Sequence, residues 1–227
     1  MHLIRRLGLF TLLAAALVTS GAFATKPSEL AEAMSHDGLQ KISVKGLDLA
    51  YALPGATLAG YRRVQLDPVQ VAFRKDWDPT RTGSRMRLST EERENIRAGL
   101  AQVVQEAFVT ELQRHNSYPV VDEAGPDVLR VKVHIVDLYV NAPDTPTAAR
   151  SSTYVMSAGE MSLFAELSDA ETGQTLVRVV DRREARDTGQ LKLTNAVLNR
   201  GEAQDIAAAW ARILRRALDK AHGIGTK

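Results

Sequence analysis

The chain has 227 residues, with 29 Lys and Arg against 27 Asp and Glu, a formal net charge of +2, and no cysteine. Lack of cysteine excludes disulfides, thiolate metal ligands, thiol catalysis and lipidation at a signal-peptide cysteine. The near balance of charge, with no basic stripe, argues against a nucleic-acid partner, which would call for a cationic excess.

The first residues read as an export signal. Arg5 and Arg6 precede an apolar run, Leu7 to Val18, and small residues follow, ending in Ala22-Phe23-Ala24. That order of basic, apolar and small-residue regions is what a signal peptidase recognises, and it predicts cleavage between Ala24 and Thr25. The run falls short of the ~20 apolar residues that span a bilayer. Losing two arginines and no acid leaves 27 bases against 27 acids, so the basic pI carries no message about partners. The expected location is the periplasm, with neither a transmembrane segment nor a lipid anchor in the mature chain.

Residues 25–41 are polar and weakly patterned and read as a flexible arm. Residues 42–227 read as one α/β domain, large enough to bury a core without covalent staples. From Ile42 to Leu53 a patchy apolar pattern predicts a short edge strand that ends at Pro54-Gly55. Tyr61 to Phe73 alternates apolar and polar residues but changes phase at Pro68, which implies an edge position or a bulge because proline cannot donate to a ladder. Arg74 to Arg87 is a charged loop. Ser89 and Glu92 form a capping box, and Ile96, Leu100, Val103, Val104, Ala107, Phe108 and Leu112 then repeat at helical spacing to near Asn116.

In Asp127 to Val140 the apolar Leu129, Val131, Val133 and Ile135 alternate with Arg130, Lys132 and His134, the mark of a half-wet sheet. After a polar loop, 141–153, a strand carries Met161, Leu163, Ala165 and Leu167, with Gly159 as a candidate bulge. The turn Asp169 to Gln174 leads to a strand from Thr175 to about Ala185. A closing amphipathic helix starts at an Asn199/Glu202 capping pair and stops at Gly223. Its apolar face holds Ile206, Trp210, Ile213, Leu214, Ala217 and Ala221, opposite Asp205, Arg212, Arg216 and Lys220. The order β-α-β-β-β-α predicts an α+β two-layer sandwich: a small, mostly antiparallel sheet with two amphipathic helices on one face.

A search for chemistry finds no catalytic set. Ser35-His36-Asp37 has the residue types of a hydrolytic triad, but three adjacent residues cannot stack in relay. The histidines lie on separate elements without ligand spacing, and His134 and Asp137 fall on opposite faces of a strand. Asp76-Trp77-Asp78 resembles a cation-holding Asp-x-Asp, yet Arg74, Lys75, Arg81 and Arg85 neutralise it. The cations at the end of the last helix follow its dipole. No catalytic residue, metal ligand or cofactor site is therefore assigned. Trp77, Arg81 and Arg85, an aromatic anchor among arginines, are the candidate partner contact.

Leu53-Pro54-Gly55, the stretch YRRVQLDPVQVAF at 61–73, Lys75-Asp76-Trp77, the 169–174 turn and the closing helix together resemble the bacterial family called domain of unknown function 3313. The likeness runs from about Gly38 to Gly223. It implies an exported protein, often lipoprotein-like, and this chain departs by having no cysteine to lipidate. The family supplies no activity to carry over to any residue. The expected function is a non-catalytic periplasmic module that binds an envelope protein or envelope component. Two alternatives stand beside it: a cell-wall or lipid-acting hydrolase or transferase with a hidden acid pair, and a carrier of a small apolar ligand. Two converging carboxylates, one with a raised pKa, would mark the first; a deep apolar cavity would mark the second.

Overall fold

A computed structural model of the chain describes residues 34–74, 89–141, 157–184 and 196–224. Its seven strands are β1 (Gln40–Ile42), β2 (Leu49–Ala52), β3 (Arg63–Leu66), β4 (Gln70–Phe73), β5 (Val128–Asn141), β6 (Ser157–Asp169) and β7 (Thr175–Glu184). The helices are α1 (Thr90–Leu112) and α2 (Ala196–Ala221). The strands make one open sheet in the order β1-β2-β7-β6-β5-β3, with β4 also on β5. All pairings are antiparallel except β3–β5 and β4–β5. The architecture is the expected α+β sandwich.

The apolar stripes of the helices meet one face of the sheet. Ile96, Leu100, Val104 and Phe108 of α1, and Ala207, Trp210, Leu214 and Leu218 of α2, share a cluster with Leu129, Val131, Val133, Ile135, Leu163 and Ala165. The α1 capping box forms as the sequence predicts: Glu92 N–H donates to Ser89 Oγ at 3.1 Å and Ser89 N–H to Glu92 Oε2 at 2.6 Å. α2 stops in a Schellman motif, with Gly223 at φ +68°, its N–H donating to the Lys220 carbonyl and the Ile224 N–H to that of Asp219.

Five details depart from the sequence reading. The 61–73 segment is two strands, because Pro68 has no N–H to give. The chain leaves the sheet there, and the Val69 N–H turns to Gln105 Oε1 of α1 at 3.2 Å. Both pieces lie along β5 at the sheet edge, where a proline is tolerated. The patchy 42–53 stretch holds parts of two strands, paired as a hairpin. Packing starts inside the segment read as an arm: Met34 and Leu39 are buried with Tyr51, Phe164 and Val180 on the sheet face away from the helices. α2 starts at Ala196, so Asn199 lies within the helix rather than at its cap. Ala217, placed by spacing on the apolar face, is exposed. At Gly159 the β5–β6 register skips one residue, between Tyr139↔Glu160 and Val140↔Ala158, which is the expected bulge.

Candidate functional site

The flank of α2 that carries Ile213 and Ala217 does not close on the sheet. Between them lies an apolar cleft of about 160 Å³. Its floor is Val131, Leu163, Ala165, Leu167, Val177 and Val179, the helix-facing side chains of β5, β6 and β7; its roof is Trp210, Ile213, Leu214 and Ala217. Ile42, Val44 and Leu47 of the β1–β2 hairpin, with Leu58, form the outer rim. The cleft exists because the helix flank is built from small or half-buried residues while the sheet below keeps its apolar alternation. No titratable side chain lines it. Ile42, 41% exposed, marks where the cleft reaches solvent.

The rim is held by a buried carboxylate. Asp181 is 2% exposed and follows Val177 and Val179 on the core face of β7. Its Oδ2 accepts from Trp210 Nε1 at 2.7 Å and Arg183 Nε at 2.6 Å, and its Oδ1 from the Asp48 N–H at 3.1 Å. Arg183 Nη2 also donates to the Gly46 carbonyl at 2.6 Å, and the Arg182 N–H to Asp48 Oδ2 at 2.9 Å. One carboxylate thus ties a wall of the cleft, Trp210, to the hairpin loop. Gly46 has φ +90°, and a Cβ there would sit 3.2 Å from Ile213 Cδ1, so any other residue would strain the backbone and crowd the helix flank at this point. Gly46, Leu47, Asp48, Asp181, Arg182 and Arg183 line a polar recess of about 190 Å³, which shares Leu47 with the apolar cleft.

Several charged groups outside the cleft are paired with one another. On the far sheet face Arg130 grips Asp67 with Nε and Nη2. Lys132 and Arg178 flank Glu166 at 3.5 and 2.9 Å, and Arg178 reaches Asp37 at 2.6 Å. His134, on the same face, meets Phe164 at a 6.0 Å ring separation, and burial pushes its pKa down. At the C-terminal ends of the helices, Arg215 donates to Glu111 at 3.0 Å and to Asp219 at 2.9 Å; Tyr118 donates to Asp219 at 2.9 Å. Burial, then the Asp219 bond, raises the Tyr118 pKa. Among the described residues the carboxylates with displaced pKa values, Asp37, Asp127 and Asp169, all move down: an Arg178 bond leads at Asp37, an Arg63 bond at Asp127, and the Thr172 N–H at Asp169. Among the described residues no group of three His, Cys, Asp or Glu could hold a metal ion, and no helix is long and apolar enough to cross a membrane.

Of the residues singled out in the sequence, Trp77, Arg81 and Arg85 lie outside the described residues, as does the export signal. In Ser35-His36-Asp37, His36 Nδ1 lies 2.8 Å from Asp37 Oδ1, with the His36 side chain exposed. Asp37 is held by Arg178, an anchoring role rather than a relay. Asp181, Asp48 and Arg183 escaped the sequence reading. The alternation Val177, Val179, Asp181 already placed a carboxylate on the core face, a readable signal; its partners, 29 and 133 residues away, were not readable.

The family model described as a protein of unknown function, DUF3313, matches residues 28–214. No curated protein matches the chain. Among solved structures, the chain is similar to a single-substitution variant of the PelC dodecamer from Paraburkholderia phytofirmans, at 7% identity and a TM-score of 0.39 over 79% of this chain and 97% of that one. A second PelC crystal form from that organism gives 7% identity and a TM-score of 0.37 over 78% and 96%. Protein XCC0632 from Xanthomonas campestris, of the DUF330 family, gives 9% and 0.38 over 73% and 91%.

Proposed function

Since the chain belongs to the DUF3313 family, whose description carries no activity, we propose from its own geometry that it is an exported, non-catalytic binding module of the bacterial envelope, and that the cleft under α2 is its binding site. The observation that carries this reading is an apolar cleft with an open rim and no titratable lining. Such a site can hold a hydrocarbon group by removing it from water, and offers nothing to transfer a proton or attack a bond. Acid pairs of the kind a hydrolase needs find little support. Glu111 and Asp219 are both held by Arg215, and Asp48 and Asp181 are engaged by backbone N–H groups, Trp210 and Arg183. The apolar-carrier reading thus merges with the envelope-binding one: the envelope component bound is one with a hydrocarbon part. Export to the periplasm through the 1–24 segment, and a partner contact at Trp77, Arg81 and Arg85, belong to the same proposal.

The test is retention from a lipid extract of bacterial envelope by the mature protein, with bound molecules identified by native mass spectrometry. The expected result is a retained amphiphile that Ala217→Phe, an exposed change at the mouth of the cleft, prevents from binding. Retention of nothing, or equal retention by the variant, would overturn the reading.

A further inference from the structure

The floor of the cleft has a notch. On the helix-facing side of β6, Ala165 stands between Leu163 and Leu167, and across the sheet it lies between Val133 of β5 and Val179 of β7. All four of these neighbours are branched aliphatic side chains, each larger than alanine by two or three carbons. Ala165 is 4% exposed and lines the cleft. The cross-strand row through it continues from Val179 to Ala50 of β2 and ends at Ile42 of β1, where the cleft reaches solvent. Protein interiors are otherwise packed as densely as organic crystals, and a wall facing empty space forgoes its dispersion contacts. A branched side chain at 165 would occupy that space and stabilise the fold, as cavity-filling changes do. The small residue keeps the cleft open at a cost in packing.

The strands set the shape. Lining residues come from β1, β7, β6 and β5. In the sheet order β1 and β5 stand four positions apart, about 19 Å at ~4.8 Å per strand. A volume of about 160 Å³ drawn out over that width is narrow. A compact apolar cavity of roughly 150 Å³ holds a benzene ring; the same volume in elongated form suits one chain. The lining side chains are apolar apart from the Trp210 indole N–H, which is given to Asp181. The cleft therefore recognises hydrocarbon and supplies nothing to a head group.

We propose that the cleft takes the end of a single unbranched hydrocarbon chain in preference to compact rings, and that Ala165 sets how much of the chain enters. The proposal rests on the reading of the cleft as the binding site, and adds the ligand class and the residue that determines it. Each methylene buried favours binding by about fourfold, so carbons added to the floor are carbons the ligand loses.

The experiment titrates the mature protein with n-alkanols of four, six, eight and ten carbons, and with 1-adamantanol, whose ten carbons form a compact cage. Octanoate and octyl glucoside, below its micelle concentration, place eight-carbon chains under a charged and an uncharged head. Trp210 fluorescence, in a Trp77→Phe background that leaves it the only tryptophan, is the readout. Affinity is expected to rise about fourfold per carbon from four to eight. Decanol is expected to bind about tenfold tighter than adamantanol or better, because the cage forgoes wall contacts. Octanoate and octyl glucoside are expected within about fivefold of one another, their heads being in water where charge is screened. Ala165→Val and Ala165→Leu are expected to weaken octanol binding by about tenfold or more, with a urea midpoint at or above that of the parent. Valine, the smaller change, keeps the test open if leucine overfills the core. Octanol bound as tightly by Ala165→Val as by the parent, or a lowered midpoint in both variants, would overturn the role of Ala165. Adamantanol bound as tightly as decanol, or a strong preference for one head, would overturn the ligand class while leaving the cleft as the site. Binding that Ala217→Phe leaves untouched, or no alkanol bound at all, would overturn the cleft itself.

Discussion

Through its carboxylate, Asp181 joins β7 to α2 and to the β1–β2 hairpin loop. Its carboxylate is buried and accepts from an indole, a guanidinium and a backbone amide at once. Truncation to alanine strands the buried Trp210 indole N–H, and a stranded buried donor is far more costly than a hydrogen bond is beneficial. Asp181→Ala is expected to lower unfolding free energy by about 3 kcal/mol and shift Trp210 emission to the red; Asp181→Asn, which keeps one acceptor, by about half that. Urea titration monitored by Trp210 fluorescence, in a Trp77→Phe background that leaves it the only tryptophan, measures both. A second residue-scale consequence concerns pH. Burial, followed by the bond to Asp169, pushes the Tyr61 phenol up to about 12 from 10.0. A raised folded value favours the protonated form, so this contribution is complete below pH 10 and is lost as pH rises through 12. Tyr61→Phe should therefore show a shallower loss of stability between pH 10 and 12 than the parent, as read from denaturation midpoints across that range.

At the scale of elements, the helix ends are where sequence and structure can be weighed against each other. The α1 cap was legible because a capping box is a local pattern, complete within four residues. Ser89→Ala is expected to lower stability by about 1 kcal/mol, and Ser89→Asp to leave it nearly unchanged. Gly223, at φ +68°, closes α2, and Gly223→Ala should remove roughly another 1 kcal/mol. Thermal denaturation followed by far-UV circular dichroism separates these outcomes from the parent. The alternations in β5, β6 and β7 were legible for the same reason: which face a side chain takes is decided every second residue. What stayed hidden were decisions made between distant segments. Pro68 announced an interruption, but only the presence of Gln105 on α1 and a free edge on β5 turned it into two parallel strands. Met34 and Leu39 sit in a polar context, and nothing local says that Tyr51 and Phe164 await them. The cleft was the least legible feature, since it is a gap between a helix flank, a sheet and a hairpin that lie far apart along the chain.

The whole molecule is stitched by such distant pairings. β2 pairs with β7 through Leu49↔Val180, and β3 with β5 across the α1 crossover. One cluster runs without a break through Ala50, Val64, Leu100, Ile135, Leu163 and Leu218, one from each of β2, β3, α1, β5, β6 and α2. No helix or strand in that set buries its apolar side against itself, and α2 is also tied to α1 through Arg215, Glu111, Asp219 and Tyr118. Removing any one layer exposes the apolar face of another, which is the physical condition for cooperative unfolding. The mature chain, residues 25–227, is therefore expected to unfold in a single transition. In a Trp77→Phe background, Trp210 fluorescence, which senses the contact of α2 with the sheet, and far-UV circular dichroism, which senses helix and strand together, should trace superimposable curves in urea. Asp181→Ala should move both curves by the same amount, because the carboxylate it removes joins β7, α2 and the hairpin at once. A fluorescence transition that precedes loss of helical signal would mean that α2 detaches from the sheet while remaining a helix, and would separate the molecule into two cooperative units.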